Sequence, residues 1–77
     1  MLKIENLNTE DGKITMRVYV ENHREDFFTL QLDAGTGEIV DCTREDMPVY
    51  PEQAMLYIQG LLQSGKSLPE EAIVTGY

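Results

Sequence analysis

Residues that carry much of protein chemistry are scarce in this chain. Its 77 residues include one cysteine, one histidine and no tryptophan, and a lone cysteine excludes an internal disulfide framework. No apolar run is long enough for a signal peptide or a membrane-spanning helix, and the first residues pass directly into a strand pattern. Together these absences favour a cytoplasmic protein.

Positive charge is also scarce, which bears on the choice of partner. Six Lys and Arg residues stand against fourteen Asp and Glu, and the net charge is −8. The basic residues are scattered, so no basic patch is available to neutralise phosphates or anionic lipid. We therefore expect neither nucleic acid nor a membrane as a partner. The acidity favours solubility, and an acidic decoy that occupies a basic groove of another protein, as some inhibitors and antitoxins do, is an alternative.

The pattern does not indicate catalysis. His23 lies in a predicted loop and Cys42 on a later strand, with another strand between them, so they do not form a nucleophile–base pair. Adjacent acidic residues fall in predicted loops, where carboxylates are solvated, and a chain of this size has little room for an apolar cleft. We predict no catalytic residues and no cofactor, and we expect that the protein is not an enzyme.

The acidic segment Asp33–Glu38 invites comparison with a metal site. Calcium takes about six to eight oxygen ligands, and this segment lacks the alternating acidic positions and closing Glu of an EF-hand. Asp33 and Gly37 are instead typical of a hairpin turn, because Asp accepts bonds from nearby backbone amides and Gly tolerates a positive φ. We predict no metal ligands here. A small-ligand or metal-binding domain that uses the acidic loops is an alternative function.

Alternation of apolar and polar residues is the clearest pattern in the first half of the chain. It predicts strands at about 2–8, 13–21, 27–33 and 38–42. With a loop at 22–26, Val20 faces Phe28 and Val18 faces Leu30, so the apolar residues of both strands share one face. A slip of one residue would expose them all, so the pattern specifies which face is buried.

The turn between the first two strands has its own signal. Residues 10–12 are typical of a three-residue loop in which Gly12 adopts the left-handed conformation. This loop places Ile4 opposite Val18, and three strands then share one apolar face.

The last turn, within Asp33–Glu38, leaves two registers open. A four-residue loop places Ile39 beside Leu32 on the apolar face, with Val40 and Cys42 on the opposite face. A five-residue loop brings Val40 inward instead.

Residues 28–40 also resemble the closing hairpin of PepSY domains, small modules associated with inhibition or chaperoning of peptidases. The resemblance covers about a sixth of the chain and depends on an Asp-Ala-x-Thr-Gly-Glu turn. A PepSY domain implies a helix before the strands, whereas the helical pattern here follows them. The family's role is therefore not carried over to this chain.

After residue 46 the apolar spacing becomes helical and predicts a helix at about 51–64. Pro51 suits the first turn, where its missing N–H would have been unpaired, and Gly65 suits the end. The predicted buried stripe consists of Ala54, Met55, Tyr57, Ile58, Leu61 and Leu62, and the predicted polar side consists of Glu52, Gln59 and Gln63. A short element is predicted at 67–74. Residues 67–70 are typical of a capping box that opens a helical turn, and the tail, residues 72–77, is either a frayed end or a fifth strand.

These elements predict a single α+β domain over residues 1–77. It is a four-stranded antiparallel β-meander with one amphipathic helix packed on one face and a short C-terminal helical turn or strand. The uncovered face has Tyr19 opposite Thr29 and Phe27 diagonal to Tyr19, and aromatic and Arg residues are enriched at protein contacts. The candidate contact residues are Arg17, Tyr19, Phe27, Thr29, Gln31 and, on the polar side of the helix, Leu56. We expect a non-enzymatic protein-interaction or regulatory module that contacts another protein or a second copy.

Overall fold

Five antiparallel strands form one sheet, and a single helix packs on one of its faces. The structure, a computed structural model, describes residues 2–20, 25, 27–44 and 49–74. The elements are β1 (Leu2–Glu10), β2 (Lys13–Val20), β3 (Phe27–Asp33), β4 (Ile39–Cys42), α1 (Val49–Gln63) and β5 (Ala72–Val74). The strand order is β4-β3-β2-β1-β5. The predicted α+β class is confirmed, and the meander gains a fifth strand.

The core lies between the sheet and α1. Alternate residues of the three longest strands face it, as a period of two requires. Ala54 and Ile58 enter it from the helix, and both are fully buried. The buried cluster consists of Leu2, Ile4, Leu7, Ile14, Met16, Val18, Val20, Phe28, Leu30, Leu32, Ala54 and Ile58.

The β1–β2 hairpin reaches the predicted register by a different route. Its turn has two residues, Asp11 and Gly12, with φ of +53° and +75°, the combination of a type I′ turn. This turn is one residue shorter than the predicted loop. A β-bulge at Asn6, where φ is +55°, adds one unpaired residue to β1 and compensates for the difference. Ile4 therefore lies opposite Val18 as predicted. The bulge also shifts the alternation of β1 by one residue, so that Leu7 is buried in the core.

The β2–β3 pairing differs by two residues from the prediction. Val18 lies opposite Phe28 instead of Leu30, and Tyr19 lies directly opposite Phe27. A shift of two residues keeps every side chain on its predicted face. It also aligns Ile14 with Leu32, both fully buried. The predicted loop at 22–26 falls mostly outside the described residues.

The β3–β4 hairpin combines the two registers left open by the sequence. Leu32 lies opposite Ile39 next to the turn, as in the four-residue loop, but Ile39 is 40% exposed and does not join the core as predicted. A bulge at Val40 then shifts the pairing, and Cys42 lies opposite Leu30, as in the five-residue loop. Cys42 accordingly packs against the core, which corrects its placement on the opposite face.

The turn before β4 is held by the bonds that its composition predicts. The Asp33 carboxylate accepts hydrogen bonds from the backbone N–H groups of Gly35 (2.7 Å) and Thr36 (3.0 Å). Gly37 has a φ of +75° and is buried beneath α1. The Gln59 side-chain amide donates to the carbonyl oxygen of Gly37 at 3.1 Å. Gln59, predicted on the polar side of the helix, thus joins the helix to the turn.

Helix α1 ends where the sequence predicts. Gly65 has a φ of +70°, and its N–H donates to Leu62 O at 3.2 Å while the N–H of Lys66 donates to Leu61 O at 3.1 Å. These two bonds form a Schellman cap. Pro51 lies in the first turn, where a backbone N–H has no partner within the helix.

The segment after the helix corrects one prediction and decides another. Residues 67–70 form no helical turn, because they carry the chain back to the sheet, where Glu70 O accepts a hydrogen bond from the N–H of Leu7. Residues 72–74 form the fifth strand, with Ile73 opposite Lys3. Strand β1 is therefore paired on both sides, and β4 and β5 are the edges of the sheet.

Substituting Gly12 and Gly37 separates backbone strain from packing. Both have a φ of +75°, but a Cβ at Gly12 meets no atom within 4 Å, whereas one at Gly37 lies 2.7 Å from Gln59 Cγ. We expect Gly12→Ala to lower the free energy of unfolding by about 1 kcal/mol, the cost of the left-handed conformation. Gly37→Ala should lower it by about 2 kcal/mol or more, because it also displaces Gln59.

Urea unfolding followed by circular dichroism measures both losses. In a Gln59→Ala background the two glycine substitutions should become similar in effect. Equal losses in the wild-type background would contradict the packing of Gly37 against Gln59.

Ile58 and Leu56 test which side of the helix is buried. Ile58 is fully buried and Leu56 is 55% exposed. Ile58→Ala should lower the free energy of unfolding by about 2–5 kcal/mol because it leaves a cavity. At low protein concentration, Leu56→Ala should change it by less than about 0.5 kcal/mol. Thermal and urea melts of the two variants check this, and a loss shared equally between them would contradict the observed burial.

Candidate interaction surface

The sheet face opposite α1, here called the open face, presents residues from all five strands. Ladder pairing places Ile73, Lys3, Tyr19 and Phe27 in one row across β5, β1, β2 and β3. With strands spaced by about 4.8 Å, the two apolar ends of this row, Ile73 and Phe27, lie about 14 Å apart. Both are exposed, by 59% and 41% respectively. The row therefore has an apolar residue at each end.

Three of the predicted contact residues form one cluster on this face. The Tyr19 and Phe27 rings have centroids 5.6 Å apart and are tilted by 39°, an arrangement that aromatic pairs favour. The Arg17 guanidinium lies 5.2 Å from the centroid of Phe27, within cation–π range. Tyr19 is only 7% exposed. Tyr19 is thus a structural support, and Phe27 and Arg17 are the accessible members of the cluster.

The other predicted residues divide between the two sides of the molecule. Thr29 lies beside Arg17, and its backbone N–H donates to Thr43 Oγ1 at 2.9 Å. Gln31 lies opposite Thr15 on β2 and Asp41 on β4. Both therefore belong to the open face and are half-buried. Leu56 lies on α1, which packs on the opposite side of the sheet, so it is not part of this surface.

Charge is distributed unevenly between the open face and the rest of the chain. The alternation of the described strands places three of the six Lys and Arg residues there, namely Lys3, Lys13 and Arg17, with four of the fourteen Asp and Glu residues, namely Glu5, Glu10, Asp33 and Asp41. Lys3 Nζ pairs with Glu5 Oε2 at 3.1 Å. The open face is therefore nearly neutral, although the chain as a whole has a net charge of −8.

The described residues also show two shallow depressions that are open to solvent. One, of about 300 Å³, is lined by Gly35, Thr36, Gln59, Leu62 and Gln63. The other, of about 390 Å³, is lined by Asn6, Leu7, Asn8, Glu70 and Glu71. Neither is an enclosed apolar pocket of the kind that buries a small ligand.

The residues considered for chemistry are not assembled into a reactive site in the described part of the chain. The Cys42 thiol is half-buried and donates to the carbonyl oxygen of Arg44 at 3.1 Å, while His23 lies outside the described residues. Asp33, considered as a metal ligand, caps its own turn. Among the described residues, no group of three or more His, Cys, Asp or Glu side chains is placed to hold a metal ion.

Lys3 and Ile73 belong to this surface but were not among the predicted contact residues. The sequence carries a signal for Ile73, since Ala72, Ile73 and Val74 are a short strand-forming run. Its partner strand could not be inferred, because the chain reaches that position only after crossing the sheet with α1. Lys3 follows from β1, whose alternation already placed it away from the core.

Comparison with protein-family models, curated proteins and solved structures found no match to this chain. The hairpin resemblance to PepSY domains therefore has no support from a family model, and the hydrogen bonds of the Asp33 turn account for that motif. In the described part of the chain, no helix is long and apolar enough to cross a membrane.

The open-face cluster yields a stability prediction. Tyr19→Ala should lower the free energy of unfolding by about 3 kcal/mol, because a nearly buried ring is removed. Phe27→Ala should lower it by about 1–2 kcal/mol, the loss of an aromatic pair and of partial burial. Tyr19→Phe is the matched control and should cost under about 1 kcal/mol, since it keeps the ring. Urea melts check the order, and a larger loss at Phe27 than at Tyr19 would contradict the cluster as described.

Proposed function

We propose that this chain is a non-enzymatic protein-interaction module whose contact surface is the open face. The single observation that carries the proposal is the row Ile73, Lys3, Tyr19 and Phe27, which presents exposed apolar side chains on a nearly neutral face of an acidic protein. An acidic surface repels most acidic partners, so a nearly neutral face is where another protein can approach at the least electrostatic cost.

The composition of the surface supports a protein as the partner. Aromatic and Arg residues are enriched at protein contacts, and Phe27 and Arg17 are the accessible members of the cluster. Tyr19 packs beside Phe27 from the neighbouring strand, with ring centroids 5.6 Å apart, and this contact reduces the side-chain freedom that Phe27 loses on binding. The complementary partner surface has apolar side chains opposite Phe27 and Ile73, the two ends of the row, with carboxylates placed near Lys3 and Arg17.

The size of the open face limits the kind of protein contact that it can form. The molecule measures 30 × 23 × 19 Å, so its broadest projection has an area of about 700 Å². A typical specific complex buries roughly 800 Å² on each partner. The open face, as one side of this molecule, thus offers an area slightly below that of a typical contact, which suits a small or transient complex. The single cysteine supports a cytoplasmic location for this module.

The double variant Phe27→Thr, Ile73→Thr tests the proposal directly. Both side chains are exposed and lie on strands, where Thr is well accepted, so the variant should remain folded by circular dichroism. Immobilised wild-type protein should retain a partner from an extract of the source cells, and the double variant should retain much less. Tyr19 is left unchanged because its substitution would unfold part of the population.

A matched control distinguishes this face from the helix. The variant Val49→Thr, Leu56→Thr removes a similar exposed apolar area from α1 and should retain the partner at the wild-type level. The captured protein, once purified, should bind the wild type and lose about tenfold or more in affinity for the open-face variant. Equal affinity of the partner for the open-face variant and the helix variant would overturn the proposal. If that partner were a basic protein, the result would favour the acidic decoy instead.

A further inference from the structure

The outer side of α1 is unusual for a helix that faces solvent. At helical spacing, the residues that point away from the sheet are Val49, Glu52, Leu56, Gly60 and Gln63, and all five are exposed. We call them the outer stripe. Glu52 is the only charged residue among the 15 of the helix, although 26% of the chain is charged. The distinguishing feature of the outer stripe is its apolar content, since Val49 and Leu56 are large apolar side chains that are 58% and 55% exposed.

Gly60 is the second unusual feature of the outer stripe. Glycine lowers the stability of a helix interior relative to any other residue except proline. A Cβ at Gly60 would meet no atom within 4 Å, so the described structure offers no packing reason for glycine there. Leu56, one turn earlier on the same side, is 55% exposed. A protruding side chain and a gap thus lie next to each other.

We propose that the outer stripe is the contact between two copies of this chain, with the two α1 helices packed antiparallel around a two-fold axis that passes between Leu56 and Gly60. In this arrangement Leu56 of each copy fills the gap over Gly60 of the other. The small residue lets the helices approach closely, and a two-fold axis makes one surface serve both partners. This contact is separate from the open face and does not depend on the proposed function.

Charge favours a second copy in this orientation. Counted along the chain from the proposed axis, Glu52 lies about six residues to the N-terminal side, and Lys66 lies about eight residues to the C-terminal side. Antiparallel packing therefore places Glu52 of each copy within about two residues, along the axis, of the level of Lys66 just past the end of the other helix, and both residues are exposed. The remaining positions of the outer stripe carry no charge, so two molecules of net charge −8 meet where their repulsion is small.

The length of the helix indicates a weak dimer. The outer stripe spans fourteen residue steps, or about 21 Å at the α-helical rise. A single helix pair of this length buries less than a standard interface, which is the range of transient complexes. We therefore expect association in the micromolar to millimolar range of protein concentration.

Sedimentation equilibrium across that range tests the proposal. The wild type should approach twice the monomer mass, whereas Leu56→Ala and Gly60→Gln should remain monomeric. At low concentration Gly60→Gln should melt at a higher temperature than the wild type, because a helix-forming residue replaces glycine in open space. Greater stability together with weaker association would not arise if Gly60 had only a structural role within the monomer.

Charge reversal and an open-face control complete the test. Glu52→Lys and Lys66→Glu should each weaken the dimer, and the double variant should restore it. The open-face variant Phe27→Thr, Ile73→Thr should dimerise like the wild type. A wild type that stays monomeric throughout the range would overturn the proposal. Association that survives Gly60→Gln, or is lost only in the open-face variant, would overturn it as well, and the latter result would assign self-association to the open face.

Discussion

The burial of one sheet face beneath a single helix is the constraint on which the rest of the structure depends. Only one layer of side chains separates the strands from α1, so every strand must present its apolar residues to the same side. A shift by an odd number of residues would move a whole strand's apolar set into solvent. The bulges at Asn6 and Val40 are the places where the chain absorbs a single extra residue without breaking this rule.

The same constraint positions the helix and, through it, the second edge of the sheet. After β4 the chain must cover the apolar face, and α1 does so while carrying the chain to the opposite edge. The Schellman cap at Gly65 ends the helix there, and the bond from Leu7 to Glu70 begins the pairing of the last strand. Gln59 joins the helix to the turn that precedes β4. Helix α1, the segment that follows it and the sheet are thus connected by specific hydrogen bonds as well as by apolar packing.

Two of the exposed surfaces of the described residues carry proposals, the open face and the outer stripe, and they differ in character. The open face is nearly neutral, mixes aromatic and charged side chains, and is supported by the buried ring of Tyr19. The outer stripe has one charged residue among five and combines an exposed leucine with an exposed glycine. The exposed side chains of both surfaces lie outside the core, so removing them from one surface should have little effect on the other. The two proposals can therefore be tested independently, with each surface as the control for the other.

The sequence by itself determined most of the buried residues, because a period of two in the strands and of 3.6 in the helix marks the apolar side of each element. Leu7, Tyr19 and Cys42 are buried or packed against the core for reasons that this periodicity does not show. It also determined the strand boundaries to within about two residues, the left-handed glycines 12 and 37, and the end of the helix at Gly65. The open face followed from the same alternation, since residues excluded from the core must lie on the other side. Five of the six predicted contact residues are on that face for this reason.

Beyond the β1–β2 register, tertiary structure decided how these elements are placed against one another. The two-residue shift between β2 and β3 could not be predicted, because it keeps the same residues buried and differs only in which side chains meet. That shift sets Tyr19 directly against Phe27 and makes Tyr19 a support. The pairing of β5 with β1 depends on where the chain lies after α1. This pairing is a contact between distant segments, and no local sequence pattern predicts it. Alternation within a segment therefore specifies a side chain's face, whereas its neighbours depend on packing between segments distant in the chain.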